Sequence, residues 1–134
     1  MAKAHDAIIL ADRDGVIRLW NPGAEAMFGY RAEEALGQTL DLIIPERLRA
    51  RHWDGYRKAM AAGTTRYASQ VLAVPATRKD GSTISVEFTI ALLEEPAGAL
   101  LGPAAIIRDV TARWEEERAL KTRLAALEAN TPEG

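Results

Sequence analysis

The chain contains no cysteine. That removes disulfide staples, thiolate zinc sites, iron–sulfur clusters and any adduct between a flavin and a cysteinyl sulfur. Histidine is nearly as scarce: His5 and His52 are the two in the sequence, too few for a multi-histidine metal site. No apolar run approaches the roughly 20 residues of a membrane span, and the opening residues Met1 to Asp6 lack the apolar core of a signal peptide. A cytoplasmic protein that meets no membrane is the expectation. Charge of one sign is also missing. The 17 basic and 19 acidic residues sum to −2 and are interspersed, which leaves no basic field for nucleic acid.

What is present suffices for one core. At 134 residues, 48% of them apolar, the chain fits a single domain of ordinary size. Residues 7–12 and 16–20 are two short strands joined by the tight turn Arg13-Asp14-Gly15. Asn21 caps a short helix with Pro22 at its first position and a stop at Gly29. A second helical turn covers residues 31–36 and ends at Gly37. Further on, residues 67–74 form a strand, Thr77 to Ser82 a polar turn, and residues 84–92 the clearest strand of the chain. There Ile84, Val86, Phe88, Ile90 and Leu92 alternate with smaller or polar residues. Residues 104–110 are the last strand. Thr111 caps a terminal helix that runs to about Glu128 and carries Leu120, Leu124 and Leu127, a stripe suited to pairing with another helix. Hairpin-connected strands with segregated helices make an α+β domain with an antiparallel sheet.

The longest internal helix covers residues 46–62, opened by Pro45 and closed by Gly63. At 100° per residue Leu48, His52, Tyr56, Ala59 and Met60 share one arc, with Trp53 at its margin, and Glu46, Arg51, Asp54, Arg57 and Lys58 lie opposite. His52 therefore points inward, either as a packed, hydrogen-bonded core residue or as an axial metal ligand. Met60 lies two turns from His52, too far along the helix to ligate the same iron from the other side. Catalysis finds no support. There is no glycine-rich phosphate loop, no Ser/His/Asp set forms around one interior histidine, and the paired glutamates are more simply solvated faces, so no enzyme is expected.

Three segments resemble the PAS (sensory-box) family, in that family's order: Asp14 to Tyr30 with its Trp20-Asn21-Pro22-Gly23-Ala24 centre, Arg78-Lys79-Asp80-Gly81-Ser82, and Ile107-Arg108-Asp109-Val110-Thr111. The likeness covers roughly residues 5–111 and implies a five-stranded antiparallel sheet in the order 2-1-5-4-3, with a ligand pocket between helix and sheet. It also implies a sensor of a small ligand, gas or redox state. In such a domain the Asp109-Val110-Thr111 junction passes a signal into the terminal helix. The resemblance divides the chain into an N-terminal segment (1–6), a sensor domain (7–110), a signalling and dimerisation helix (111–128) and a disordered tail (129–134). It implies a homodimer that acts in trans on a partner such as a histidine kinase or another effector.

The segment Pro45-Glu46-Arg47-Leu48-Arg49-Ala50-Arg51-His52 is similar to the one that carries the proximal haem histidine in FixL-type oxygen-sensor kinases. The resemblance implies haem b with His52 as axial ligand, in a pocket lined by Tyr56, Leu72, Ile90, Leu92 and Ile106. Trp53 is an extra residue relative to that pattern, and Leu72 stands where those sensors carry an arginine that reaches bound oxygen. An aliphatic wall without that donor puts carbon monoxide, nitric oxide or redox sensing beside oxygen sensing. A colourless organic ligand or a non-adduct flavin is a second ligand class. A ligand-free PAS interaction module, in which Trp20, Trp53 and Trp114 only pack, is the alternative.

Overall fold

The computed structural model describes residues 6–63 and 72–129. Alternation organises its sheet. In β1 (Ala7–Ala11) the odd positions are buried, and Ile8 and Leu10 face the other way, the two-residue period of a half-buried strand. β1 pairs antiparallel with β2 (Ile17–Trp20). The turn between them is held by the Asp12 carboxylate, which accepts from the N–H groups of Asp14 at 2.9 Å and Val16 at 3.0 Å, an aspartate's usual way of closing a short loop on itself.

Asn21 caps α1 (Pro22–Phe28) as its side chain suits it to do. Its oxygen accepts from Ala24 N–H at 2.9 Å and from Ile8 N–H at 2.8 Å, and its amide donates to the Asp6 carbonyl at 3.1 Å. One cap thereby satisfies a helix end and ties it to β1. The helix stops at Gly29 in the left-handed conformation. α2 (Ala32–Ala35) follows, its entry closed by Glu34, which accepts from Arg31 N–H at 2.9 Å.

The long helix expected over residues 46–62 is built in two pieces. Leu48 N–H goes to the Pro45 carbonyl three residues back, at 2.8 Å, so residues Glu46–Leu48 form a 3₁₀ turn, and the α-helical register begins with α3 (Arg49–Ala62). Gly63 is its left-handed cap. A second 3₁₀ turn, Leu40–Leu42, lies upstream. Arg49 fastens the two regions together by donating to the carbonyls of Ile44 at 3.0 Å and Asp41 at 3.3 Å.

The sheet is completed by β3 (Leu72–Thr77), β4 (Thr83–Glu94) and β5 (Leu100–Asp109), in the order β2-β1-β5-β4-β3, with antiparallel neighbours throughout. Most strand ends shift by one or two residues, and β3 and β5 differ most from expectation. Of the strand placed at 67–74, residues 67–71 lie outside the described residues, and the strand continues to Thr77 through Pro75. A proline is tolerated there because β3 is an edge strand, where a missing N–H leaves no neighbour unpaired. β5 begins at Leu100 rather than 104, because Gly102 lets it cross close to β1: a Cβ at Gly102 would lie 2.1 Å from the Ala11 carbonyl oxygen.

The core lies on one face of the sheet. Ile9, Ile17, Trp20, Ile84, Val86 and Ile107 meet Ala24, Met27 and Phe28 of α1, Ala35 of α2 and Ile43. Trp20 and Phe28 are tilted rings with centroids 5.6 Å apart, and the Trp20 indole N–H donates to the Tyr30 carbonyl at 2.9 Å. The terminal helix α4 (Thr111–Ala129) starts beside Ser85 and Glu87 of β4. Leu120, Leu124 and Leu127 of α4 are 58% to 65% exposed, so the chain's own domain does not cover that stripe.

Candidate functional site

The burial of α3 follows the arc read from its sequence. Leu48, His52, Trp53, Tyr56 and Ala59 are half-buried and Met60 is buried, while Arg51, Asp54, Arg57 and Lys58 are exposed. Three rings on this arc form a cluster. His52 lies 4.9 Å from Trp53 and 5.8 Å from Tyr56, and Trp53 and Tyr56 are 5.2 Å apart, centroid to centroid. The Trp53 indole N–H donates to the Asp41 carboxylate at 2.7 Å, and the Tyr56 hydroxyl donates to the Asp12 carbonyl.

The far edge of Trp53 rests on the β1–β2 turn at Gly15. A Cβ there would lie 2.2 Å from the indole, and Gly15 has φ +82. Only glycine meets both demands at once, the left-handed backbone and the close approach of a ring. Trp53 and Tyr56 therefore hold α3 against the hairpin at one end of the sheet. Gly102 of β5 closes on Ala11 and Asp12 at that same end.

Ionisation follows from these surroundings. Burial lowers the His52 pKa below its ordinary 6.5, against the opposing pull of the Asp41 charge. The imidazole is therefore neutral at physiological pH, the form that can ligate a metal. His52 Nδ1 is shielded from solvent and has no hydrogen-bond partner among the described residues, which is uncommon for a buried polar atom. Burial and then the carboxylates of Asp12 and Asp14 push the Tyr56 hydroxyl well above its ordinary 10, so it stays a donor. Burial raises the Asp12 carboxyl, but the Val16 N–H, the Arg18 guanidinium and the Asp14 N–H outweigh this and hold it below its ordinary 3.8.

Ile90 and Leu92 lie on the inward parity of β4, the same as buried Ile84 and Val86, and both are half-buried. Leu92 pairs with Pro103, one residue from the Gly102 crossing to which Tyr56 also reaches. Leu72 pairs with Phe88 in the register of β3 and β4. Ile106 requires a correction. It pairs with Ile8 and Thr89 on the opposite face of the sheet and is 51% exposed, lining a shallow groove with Glu87, Thr89 and Arg108. In the run Ala104-Ala105-Ile106-Ile107 nothing local sets which isoleucine turns inward. The register gives that place to Ile107, which is 6% exposed.

The expected signal junction is closely bonded. The Asp109 carboxylate accepts from Thr111 N–H at 2.9 Å and from its hydroxyl at 2.6 Å, and the Thr111 oxygen accepts from Ser85 N–H at 2.9 Å. Arg113 adds an ion pair to Glu87 at 2.6 Å. Sequence reasoning missed Asp12, Gly15 and Asp41. Asp41 is 12 positions from Trp53 and Asp12 is 44 from Tyr56, so no local periodicity links either pair. The signal available was the inward margin of Trp53, which calls for an indole acceptor.

Among the described residues no group of three or more His, Cys, Asp or Glu side chains is placed to hold a metal ion, and no helix is long and apolar enough to cross a membrane. A haem iron asks less of the protein, since one neutral imidazole can hold one axial position. His52, with its lowered pKa and unpartnered Nδ1, fits that requirement.

Comparison with known proteins places this architecture. The sequence matches the family described as "PAS fold" over residues 2–115. An uncharacterized protein of Azorhizobium caulinodans is 35% identical over 127 residues, covering 94% of this chain and 17% of its own length. The oxygen sensor protein DosP of Escherichia coli is 28% identical over 91% of this chain and 15% of its own length. The sensor protein FixL of Bradyrhizobium diazoefficiens is 28% identical over 87% of this chain and 23% of its own length. The chain thus spans less than a quarter of these relatives. Among solved structures, a PAS domain from Colwellia psychrerythraea superposes with TM-score 0.69 at 24% identity, covering 81% of this chain and 88% of that one. With a family match over nearly the whole described chain and the matching strand order, this chain belongs to the PAS family.

Proposed function

We propose that residues 7–110 form a sensor that registers a small ligand, a gas or a redox change between α3 and the sheet. The observation that carries this reading is His52: an inward, neutral imidazole with an orphaned Nδ1, on a helix that packs through rings rather than by burying its own length. Haem b is the cofactor proposed. His52 holds it, and Tyr56, Leu72, Ile90 and Leu92 line the site. When bound, haem supplies a redox-active iron accessible to a diatomic gas. The likeness to an oxygen sensor protein and to FixL supports the same class of signal.

The protein's own residues carry the event outward. Tyr56 and Trp53 couple α3 to the β1–β2 turn, β1 lies beside β5, and β5 runs into Asp109 and Thr111 at the start of α4. Residues 111–128 are the proposed output helix. They pair two copies of the chain and present the signal to an effector such as a histidine kinase, in the cytoplasm.

An absorption spectrum of protein purified from haem-sufficient cells, compared with His52→Ala prepared identically, tests the proposal. An intense Soret band that is lost or displaced in the variant is the expected result. A featureless spectrum that stays featureless after adding hemin removes haem. It leaves a sensor of a colourless ligand, or the second reading, a ligand-free interaction module, which the exposed leucines of α4 favour.

A further inference from the structure

A second cleft lies where the end of α1 meets the turn between β3 and β4. It has a volume of about 430 Å³ and is lined by Phe28, Gly29, Arg78, Lys79 and Asp80, a size in the range of small-molecule sites. Its frame is well tied. Arg78 N–H donates to the Ser82 carbonyl at 2.9 Å, Gly81 N–H to the Arg78 carbonyl at 2.9 Å, and Lys79 N–H to the Phe28 carbonyl at 2.8 Å. His52 and α3 take no part in it.

The three charges of the cleft differ in how far they are satisfied. Lys79 Nζ is paired with Glu34 at 2.5 Å. The Asp80 carboxylate is turned into its own loop, where it accepts from the Ser82 hydroxyl at 2.6 Å and the Ser82 N–H at 2.9 Å. Those bonds, the hydroxyl first, and more weakly the nearby charge of Arg78, hold it below its ordinary 3.8 and so keep it ionised. Arg78 has no ion pair and no side-chain hydrogen bond among the described residues, and its Nε is shielded from solvent without a partner. A guanidinium is always charged and presents parallel donors that match the two oxygens of a carboxylate. A shielded, unpartnered donor of this kind calls for an acceptor.

We propose that this cleft binds a monocarboxylate. The two oxygens of the ligand are received by Arg78 Nε–H and a neighbouring Nη–H once the side chain turns about its own torsions, and the carbon body lies over the exposed backbone at Gly29. One negative charge is the favoured number. Lys79 is already neutralised by Glu34, and the ionised Asp80 in the wall repels a second charge, which disfavours a dianion such as sulfate. The site is independent of the proposed haem site, so either can fail without the other.

The test is a ¹⁵N-edited NMR titration of the chain with sodium butyrate, sodium sulfate and sodium chloride at matched ionic strength and slightly acidic pH. Butyrate is expected to shift the Arg78 Nε–H signal and the amides of Gly29, Lys79 and Asp80 along a saturating curve. Arg78→Lys keeps the charge but loses the fork, and is expected to weaken butyrate binding roughly tenfold or more while the amide spectrum away from the cleft stays unchanged. Butyrate shifts no larger than those of chloride, or an Arg78→Lys titration that matches the wild type, would overturn the site. Saturation by sulfate at lower concentration than butyrate would overturn the monocarboxylate assignment.

Discussion

The seven residues of α1 bury Gly23, Ala24, Met27 and Phe28, whereas the fourteen of α3 bury Met60 alone. Both helices belong to one domain, yet they are held differently. α1 is sealed to the sheet by continuous apolar contact around Phe28. α3 is held by long rings that reach out to a turn and a backbone carbonyl, leaving the inward side chains of β4 beyond Val86 half-buried. A sealed helix can move only by opening the core, and a packed core resists small displacements. A propped helix can shift by rearranging a few side chains, which is the property the proposed ligand site beneath α3 requires.

This difference can be measured. Phe28 has no exposure and fills the centre of the sealed half, so Phe28→Ala should cost about 3–5 kcal/mol in denaturant unfolding. A loss below about 1 kcal/mol would mean that α1 is not sealed in the sense described. Gly15→Ala attacks the prop instead, by forcing a methyl into the Trp53 ring at a left-handed backbone position. About 1–3 kcal/mol is expected, together with a displaced Trp53 indole signal in NMR. An undisturbed indole would show that Trp53 does not depend on the turn.

The smallest effect concerns His52 and pH. Its imidazole titrates near the ordinary 6.5 in the unfolded chain and lower when folded. Between those values the unfolded chain binds more protons, so stability falls as pH drops through that window and levels off below the folded pKa. The carboxylates of Asp12 and Asp80 act separately. Their folded values are depressed below 3.8, so the stability they contribute is lost only at more acidic pH. His52→Gln should flatten the slope just below 6.5 and leave the acid limb in place. An unchanged slope would show that His52 is not buried neutral.

Much of the sealed half was legible in the sequence because its signals are local. Asn21-Pro22 and Gly29 bracket α1 through capping chemistry that acts within one turn, and strict alternation in β4 marks its inward residues over nine positions. The propped half was legible only in part. The inward arc of α3 followed from helical period alone, and it put His52, Tyr56 and Met60 on the correct side. Their partners did not follow, because Asp12, Gly15 and Asp41 come close only through the tertiary fold. Ile106 was misplaced for a related reason. Where apolar residues are adjacent, inward and outward are decided by strand register, a long-range property. Pro75 and Gly102, residue types that disfavour a strand interior, sit at an edge and at a crossing point, places that only the assembled sheet defines.

The way α4 leaves the domain has a mechanical consequence. Thr111 is pinned to Ser85 and Asp109, and Arg113 to Glu87, all within the first turn, while Leu120 and Leu124 further along are largely exposed. A helix of 19 residues is about 28 Å long at 1.5 Å per residue. With its fulcrum at one end, a tilt of about 5° in β5 swings the far tip by roughly 2.5 Å, about half a helical turn. Small strains in the sheet, too slight to disturb the packing around Phe28, therefore become far larger displacements at the other end of the lever.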